Sequence, residues 1–325
     1  NNYLSVEKIT LHKCSYCLLL QIKEKIPLKL IKPKKSLHVF REPEKHLDDF
    51  IKIYKNKFKS KLNTVLGITY KDKTLVDRFK ASSENTYIIN PKKDLGISSK
   101  GVCTETIIPK LTQASIIKLK NKIGKVDLIV ARHVIEHSYN AKKTLNILKN
   151  LLSNEGKILI EVPDCSIQLK NLDYTMIWEE HYLYFQPFTF KQFLLNNKFS
   201  INIYKKYNYP VENVQLCLIQ ESERKKITIN KNDYNINKKI ISKYLSNFNK
   251  TKKIINEFFK KQSKTKKIFI YGGGHFSVIF IHIFNLDKYI VNIIDDNKDK
   301  KNMLLPGTNL KIINSSILNS VNKSL

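Results

Sequence analysis

Short β-rich runs alternate with longer amphipathic runs in the first half of the chain, and this alternation restricts the fold more than any other feature. Strands alternating with helices pack as a parallel sheet covered by helices. The chain is therefore predicted to be an α/β protein. The predicted strands are 64–68, 86–89, 126–131 and 157–162, and the predicted helices are 42–58, 75–80 and 141–152.

The region after residue 187 departs from this alternation, because a predicted helix at 188–196 is followed by two strands at 200–205 and 215–220. Two consecutive strands with a short connection pair antiparallel. An open α/β sheet that ends in such a hairpin resembles class I methyltransferases, whereas a nucleotide-binding dehydrogenase continues with further βαβ units. The sequence thus predicts a class I methyltransferase-like Rossmann sheet with a terminal antiparallel hairpin.

A polar stretch rich in Lys and Asn leads to a predicted long helix at 239–262. A strand at 267–271, a helix at 276–284 and a strand at 290–294 then form one βαβ unit, which predicts a second, smaller Rossmann-like α/β domain. The predicted domains are 1–45, a remnant of a Cys-containing N-terminal piece; 46–222, the methyltransferase-like domain; 223–262, linker and long helix; and 263–325, the C-terminal Rossmann-like domain.

The formal net charge is +30, from 58 Lys and Arg against 28 Asp and Glu. Such a charge suits a nucleic acid, an anionic membrane surface or a phosphorylated substrate. Nucleic-acid-binding proteins usually concentrate their charge on one face or tail, however, and these lysines are spread along the whole chain. A general abundance of Lys, Asn and Ile is the favoured explanation, which argues against nucleic acid as the partner.

The five cysteines are odd in number and scattered, which favours reduced thiols over a disulfide framework. The most apolar stretch, 268–284, is interrupted by three glycines and two histidines and is too short to span a bilayer. The chain opens without a recognisable signal peptide. We therefore expect a cytoplasmic location and no membrane partner.

The turn after the first strand of the larger lobe holds Gly67, Thr69 and Asp72. Glycines crowd cofactor-binding turns, because backbone N–H groups and a helix N-terminus must approach the ligand closely. Only one glycine is present here. The second strand ends at Asn90, where an acidic residue usually holds the ribose hydroxyls. These four residues are candidate cofactor ligands, and the alternative is a strand-to-helix turn without a cofactor.

The buried strand at 126–131 runs into a polar segment that contains His133, Glu136 and His137. Open α/β sheets bind ligands at the carboxyl ends of their strands. His133 is predicted to face this cleft and joins the candidate cofactor residues. His137 is interpreted as a residue of the following helix without a functional role. Glu136 suits either the cleft or that helix.

An aromatic segment after the fifth strand contains Trp178, Glu180, His181 and Tyr184. A Glu beside a His, surrounded by aromatic rings, has its proton affinity changed by burial and by the neighbouring charge. Such a pair suits the removal of an acidic C–H proton by a general base. The alternative, with even weight from composition, is an aromatic cluster that packs a loop and leaves the acids in solvent.

The glycine run Gly272–Gly274, followed by His275, lies at a strand-to-helix turn of the smaller lobe. Glycines there allow a phosphate to approach the backbone closely. Asp295 ends the next strand, near the ribose position of a dinucleotide-binding fold. Tight strand–helix packing explains the glycines equally well.

Cys14 and Cys17 have the C-x-x-C spacing of a zinc knuckle. No second pair follows, since the remaining cysteines stand alone in the sequence. A four-ligand zinc site therefore needs further ligands upstream of residue 1.

Together these motifs resemble the three-part sugar C-methyltransferases, which have a zinc-binding N-terminal piece, a class I methyltransferase core and a C-terminal Rossmann-like domain. The resemblance covers most of the chain and keeps the order of the motifs. It is carried by residues 14–21, 127–137, 156–163 (GKILIEVP), 179–185, 271–274 and 305–308.

The resemblance implies methyl transfer from S-adenosylmethionine to a carbon beside the keto group of a nucleotide-linked deoxysugar. It implies His181 as the base that forms an enolate and Glu180 as its partner. The C-terminal domain would help to enclose the nucleotide sugar. The candidate substrate contacts are Trp178, Tyr184, Gly272, Gly273, Gly274 and His275, and Cys14 and Cys17 would hold structural zinc.

The sequence departs from the family pattern at four positions. Gly67 replaces an acid, Thr69 replaces a glycine, and Asn90 replaces the ribose-binding acid. Trp178 stands where relatives have a catalytic Tyr, and an indole cannot serve as an acid or base. The fold is therefore expected to carry over more safely than the activity.

Three functions remain open at this stage. The first is a methyltransferase that uses S-adenosylmethionine to act on a nucleotide-linked keto-deoxysugar or similar polar metabolite. The second is a non-catalytic protein that kept a nucleotide-sugar pocket and lost the cofactor. The third, motivated by the charge, is an RNA-binding or RNA-modifying protein.

Overall fold

A computed structural model describes residues 8–32, 44–97, 101–208, 212–223 and 230–318. The chain divides into two compact units. The larger unit is Ile9–Ser166 with Glu179–Lys238, and the smaller unit is the described part of Asn1–Lys8, Ile167–Trp178 and Lys239–Leu325. The predicted N-terminal piece falls partly on residues 1–7 and 33–43, which lie outside the described residues.

The elements are numbered in chain order. The strands are β1 (Leu11–Lys13), β2 (Leu20–Ile22), β3 (Leu62–Gly67), β4 (Ser83–Ile88), β5 (Val126–Arg132), β6 (Leu152–Asp164), β7 (Leu183–Tyr184), β8 (Phe199–Tyr207), β9 (Asn213–Glu221), β10 (Phe269–Tyr271), β11 (Asn292–Ile294) and β12 (Ile312–Ile313). The helices are α1 (Leu28–Ile31), α2 (Lys45–Lys57), α3 (Lys73–Phe79), α4 (Pro91–Leu95), α5 (Thr104–Ile107), α6 (Gln113–Ile123), α7 (Ala141–Lys149), α8 (Ser166–Asn171), α9 (Pro187–Asn196), α10 (Lys231–Gln262) and α11 (His275–Phe284).

The larger unit is built on a six-stranded sheet in the order β4-β3-β5-β6-β9-β8. The first four strands are parallel, and β9 runs antiparallel to both β6 and β8. This is the class I methyltransferase-like Rossmann sheet with a terminal antiparallel hairpin, so the predicted fold class is confirmed. Between β4 and β5 the described residues form helices α4, α5 and α6.

Local sequence explains where the helices beside the sheet begin. The Asn140 side chain accepts a hydrogen bond from the Lys143 backbone N–H and caps α7. Thr112 caps α6 in the same way through the backbone N–H of Ser115. These short polar side chains satisfy donors that the first helical turn leaves without a partner.

One face of the sheet is covered by α2 and α3, whose apolar side chains pack against the central strands. Each fully buried Leu or Phe stabilises the fold by about 1.5–3 kcal/mol through loss of apolar surface from water. The cluster includes Leu47, Phe50, Val65, Leu75, Phe79, Leu128, Val130, Leu159, Leu216 and Leu218.

A second, three-stranded antiparallel sheet of the larger unit has the order β1-β2-β7. Its strands are two or three residues long, so their period is too short to be recognised in the sequence. Leu20 on β2 pairs with Tyr184 on β7. This pairing ties residues 9–22 to the segment that carries His181.

The smaller unit contains the parallel sheet β10-β11-β12, with α11 between its first two strands. A second, smaller Rossmann-like α/β domain was predicted here and is confirmed. The long helix α10 begins at Lys231, eight residues before its predicted start. Within the unit, the hydroxyl of Tyr174 donates to the backbone oxygen of Tyr244 on this helix at 2.7 Å.

Of the helices formed by the described residues, none combines the length and the apolar character needed to cross a membrane.

Candidate functional site

The four parallel strands of the large sheet end at the same edge, where β3 leads into the turn 67–72 and β5 leads into residues 133–137. A further segment, 179–184, returns to this edge, since the backbone N–H of Tyr182 donates to the oxygen of Glu136 at 2.7 Å. Parallel α/β sheets place ligands at this edge. Two regions of it differ in their chemistry.

In the first region, the carboxylate of Asp72 lies inside the turn after β3. It accepts hydrogen bonds from the backbone N–H groups of Ile68 at 2.9 Å and Thr69 at 2.6 Å, and its second oxygen accepts from the Arg132 backbone at 2.7 Å. Asp72 is fully buried, and this burial raises its pKa to about 6 despite the three N–H donors. The donors that a ligand would need are therefore bonded within the protein.

Gly67 serves close packing at the end of β3. A Cβ atom on this residue would lie 2.5 Å from Cδ1 of Ile88 and 2.9 Å from Cβ of Asp72. Contacts this short do not occur between unbonded carbons, so a side chain at 67 is excluded while Asp72 holds its place. Packing explains why this position is glycine.

The side chain of Arg132 closes the same region from the neighbouring strand. Its Nε donates to Glu161 at 2.6 Å, and its Nη1 donates to Glu44 at 2.8 Å and to the backbone oxygen of Lys71 at 3.1 Å. The guanidinium is inaccessible to solvent. Burial acts to raise the pKa of Glu161, but the charge of Arg132 holds it well below its usual value. A buried ion pair with this many hydrogen bonds keeps its geometry.

His133 joins the ion-pair network instead of facing a cleft. Its Nδ1 lies 3.0 Å from Glu136 and its Nε2 lies 3.3 Å from Glu161. Burial and the charge of Lys71 act to lower its pKa, yet hydrogen bonds to the two carboxylates raise it to about 9. A charged imidazolium with both nitrogens occupied is a poor partner for a cofactor.

Asn90 uses its side chain to cap α4. Its Oδ1 accepts from the backbone N–H groups of Lys92 at 3.1 Å and Lys93 at 2.9 Å. The preference of Asn for helix N-caps explains this role. The oxygen expected to bind a ribose hydroxyl is thus already bonded.

The residues at this edge do not fit S-adenosylmethionine. A cofactor at a strand-to-helix turn needs free backbone N–H groups and an accessible acid. Here the donors of Ile68 and Thr69 are bonded to Asp72, Asp72 is buried, and Asn90 is engaged in capping.

In the second region, five titratable side chains lie together; we call them the acid–base cluster. The members are Glu105, Glu136, His137, Glu180 and His181. Within it, possible ligand atoms of Glu105, His137 and Glu180 lie within 4.8 Å of one another, and so do those of Glu136, His137 and His181. His137 Nδ1 is 2.5 Å from the Glu105 carboxylate, and the two imidazole rings meet edge to face at 4.5 Å.

The pKa values in the cluster are shifted by burial and by mutual charge. Burial, followed by the charge of Glu105, raises the pKa of Glu180 to about 7. Burial acts to lower the pKa of His137, but the hydrogen bond to Glu105 and the nearby carboxylates raise it. The cluster therefore offers both a carboxyl group that titrates near neutral pH and an imidazole whose affinity for a proton is increased by a carboxylate.

A cavity of about 620 Å³ lies beside the cluster, and Glu105 and His137 form part of its wall. Its volume is in the range of small-molecule sites. The other lining residues are mostly apolar or aromatic, and include Ile26, Pro27, Leu28, Ile31, Ile108, Leu111, Tyr139 and Tyr182. We call this space the cluster cavity.

The structure places His181 and Glu180, both singled out from the sequence, in the acid–base cluster. The sequence interpretation of His137 as helix decoration is wrong, because its ring contacts Glu105 and His181 and lines the cavity. Sequence reasoning also missed Glu105. No local motif marks it, since it lies on the four-residue helix α5, far from the other members in sequence.

Among the candidate substrate residues, Tyr184 is buried on β7, with 1% of its surface exposed. In the smaller unit, the rings of Trp178 and His275 are in tilted contact, with their centroids 4.3 Å apart. Gly273 donates its backbone N–H to Asp295 at 2.8 Å, and the same carboxylate pairs with Lys300 at 2.9 Å. The acid predicted near a ribose position is therefore engaged within the fold.

Cys14 and Cys17 lie in the tight connection between β1 and β2, where Leu18 donates its backbone N–H to the Cys14 oxygen. Burial raises the pKa of Cys17 to about 11. Within the part of the chain that the structure describes, neither thiol belongs to a group of three or more possible metal ligands. The zinc site predicted there stays a prediction.

Comparison with known proteins gives two family matches that follow one another along the chain. Residues 64–202 match a methyltransferase domain, and residues 205–323 match a C-methyltransferase C-terminal domain. No curated protein sequence matches the chain.

Solved structures of methyltransferases align with part of the chain. N-methyltransferase NodS from Bradyrhizobium japonicum WM9, in complex with S-adenosyl-L-homocysteine, is 8% identical, with 59% of this chain and 94% of NodS covered and a TM-score of 0.37. An S-adenosylmethionine-dependent methyltransferase from Clostridium acetobutylicum ATCC 824 is 10% identical, with 56% and 93% covered and a TM-score of 0.36. Similarity at this level says nothing about substrate or cofactor.

The two family matches agree with the two α/β parts of the chain and with the strand order of the larger sheet. By domain composition, this chain carries a methyltransferase domain followed by a C-methyltransferase C-terminal domain.

Proposed function

We propose that the chain removes a proton from the carbon beside the keto group of a nucleotide-linked keto-deoxysugar, or of a similar polar metabolite, as the first half of carbon methylation. The observation that carries this proposal is the acid–base cluster, in which buried imidazoles and carboxyls meet beside a cavity. The C-methyltransferase C-terminal domain supports carbon as the atom that is modified.

His181 is the proposed base, and Glu180 is its partner. When the C–H bond breaks, the proton passes to the imidazole and the electron pair moves to the keto oxygen as an enolate. Glu180, with a pKa of about 7, can accept a proton at neutral pH, which is the range in which a general base works best. His137, whose pKa is raised by the hydrogen bond to Glu105, is placed to stabilise the negative oxygen when it carries a proton.

S-adenosylmethionine is the methyl donor expected for the second half, where it would supply an electrophilic methyl group. Since the turn after β3 does not fit it, we derive no step through this cofactor, and the proposed chemistry ends at the enolate. Isothermal titration of the full chain with S-adenosylmethionine measures directly whether the donor binds at all.

A second function is favoured by Asp72, which occupies the donors of the turn. In this alternative, the chain binds a nucleotide sugar without using the methyl donor. Thermal stabilisation by nucleotide sugars but not by S-adenosylmethionine, together with the absence of proton exchange, would support it.

Proton exchange tests the first proposal without the methyl donor. The full chain is incubated in D2O with a nucleotide-linked 4-keto-6-deoxysugar, and NMR follows the replacement of hydrogen by deuterium beside the keto group. We expect His181→Asn and Glu180→Gln each to slow exchange on the order of 100-fold, since a positioned general base contributes about that much.

The control is Glu179→Gln, which removes a carboxyl group next to the cluster in sequence but outside its membership. It should leave the exchange rate within about threefold. Wild-type protein that is folded by circular dichroism and shows no exchange above the uncatalysed rate would contradict the proposed function.

A further inference from the structure

A second cavity of about 550 Å³ lies next to the cluster cavity, and the two share part of their lining. The shared residues are Thr112, Asn140, Lys143 and Ile147. The two spaces therefore adjoin at these residues, and we call them together the groove; Glu105 and His137 line its first part, and residues of α7 line its second part.

Side chains that end in polar groups make up most of the lining of the second cavity. Its wall carries the amides of Asn140, Asn146 and Asn150 and the ammonium groups of Lys142 and Lys143. Amide N–H and ammonium groups are donors, and phosphate oxygens accept several such bonds at once. The lining chemistry suits a ligand with phosphate oxygens.

The charged side chains that line the groove are lysines, with a single carboxylate. No carboxylate lines the second cavity, and the only one in the wall of the cluster cavity is Glu105, which pairs with His137. Among the described residues, no ion pair involves Lys142 or Lys143. Their charges are thus available to a ligand.

The apolar end of the groove adds a second recognition feature. Tyr139 is half exposed and meets Tyr182 edge to face at 5.2 Å, and both rings line the cluster cavity. Nζ of Lys25 lies 6.0 Å from the centre of the Tyr139 ring. An aromatic wall followed by cations matches a molecule with a ring at one end and phosphate groups further along.

We propose that the polar cavity along α7 is a phosphate subsite that holds the diphosphate of the substrate while its keto-sugar lies at the acid–base cluster. This inference rests on the proposed function, because it places the reacting end of the same molecule. Lys142 and Lys143 provide the charge, and the carboxamide of Asn146 provides a further donor, whereas Nδ2 of Asn150 already donates to Gln113 at 2.9 Å.

Calorimetric titration with uridine 5′-diphosphate, compared with uridine, tests the subsite. The double variant Lys142→Ala/Lys143→Ala should weaken binding of the diphosphate at least about tenfold and leave uridine unchanged. The matched control is Lys118→Ala/Lys120→Ala on α6, which removes the same charge from residues that line neither cavity. It should change the diphosphate affinity less than about twofold.

An equal loss of affinity in both double variants would overturn the subsite, because the net charge of +30 alone would then explain binding. Unchanged affinity in the Lys142 and Lys143 variant overturns it as well. Proton exchange separates this inference from the proposed function. Lysine-dependent binding without exchange leaves the subsite and removes the catalytic role, whereas exchange with an unaltered KM in the lysine variant removes the subsite alone.

Discussion

The turn after β3 and the acid–base cluster lie at the same edge of one sheet. The buried charges are hydrogen-bonded in the turn and crowded against one another in the cluster. In the turn, Asp72 and Arg132 are each held by several hydrogen bonds. In the cluster, three carboxyls and two imidazoles crowd together beside a cavity. In the turn, the buried charges have hydrogen-bonding partners. In the cluster, burial and the charge of Glu105 raise the pKa of Glu180 to about 7.

This difference gives the two regions different roles, one in the stability of the fold and one in the proposed chemistry. A buried charge that is fully bonded lowers the energy of one structure and has little freedom to exchange protons. A buried charge that is crowded by others costs stability but titrates where a catalyst needs it. We therefore assign the turn to the fold and the cluster to the proposed reaction.

The largest expected effect comes from Arg132→Met. Removing the guanidinium leaves buried Glu161 with only imidazoles as partners and takes from half-buried Glu44 its closer cation, and loss of one partner of a buried pair costs about 3–5 kcal/mol. Urea unfolding followed by circular dichroism measures this loss. The comparison is Arg78→Met, whose partly exposed ion pairs with Asp48 and Glu44 should contribute about 1 kcal/mol or less. Equal losses in the two variants would contradict the closed network.

An intermediate effect is expected from Glu180→Gln, and its sign depends on pH. The folded pKa of Glu180 is raised to about 7 above its usual 4.5, so the folded state disfavours the carboxylate, and this residue lowers stability as pH rises from about 4.5 to 7. The variant should be about 3 kcal/mol more stable than the wild type at pH 8 and nearly equal to it at pH 4.

Thermal and urea unfolding at the two pH values measure this difference, and Glu179→Gln is again the control. If Glu180→Gln is more stable than the wild type at pH 8 and also loses proton exchange, the residue that the reaction needs is one that destabilises the folded protein. A variant less stable than the wild type at pH 8 would show that Glu180 is satisfied, like Asp72, and would erase the contrast between the regions.

The smallest effect is expected from Gly67→Ala, which forces a methyl group to within 2.5 Å of Ile88 Cδ1. Overpacking of this kind costs about 1–3 kcal/mol. In the matched substitution Gly274→Ala, the added Cβ meets nothing within 4 Å, and the change should be below about 1 kcal/mol. If calorimetric melting shows no difference between the two, Gly67 does not have the packing role that separates the turn from the cluster.

The sequence predicted most of the sheet, because β3, β5 and β6 are apolar runs bounded by clear turns. Their predicted cores fall inside the observed strands. The small sheet β1-β2-β7 could not be predicted, since its pairing joins residues more than 160 positions apart through strands of two or three residues.

The site was only partly predictable. Glu180 and His181 are adjacent and flanked by aromatic residues, so local sequence marks them. Glu105 and the true position of His137 depend on tertiary packing, which brings α5 against the segment after β5. Asp72 was expected to contact a cofactor, and its burial depends on the lack of a side chain at Gly67, which no local pattern reveals.

The close approach of residues 67 and 72 also determines the order in which substitutions at this turn can occur during evolution. A side chain at 67 would place its Cβ 2.9 Å from Cβ of Asp72 and 2.5 Å from Cδ1 of Ile88, so an acid at this strand end requires that Asp72 move and that the Ile88 side chain turn away. Changes that make this room would come first, and they lose packing before any new ligand contact is possible. Ancestral reconstruction or directed evolution toward a cofactor-binding turn would therefore have to pass through less stable proteins.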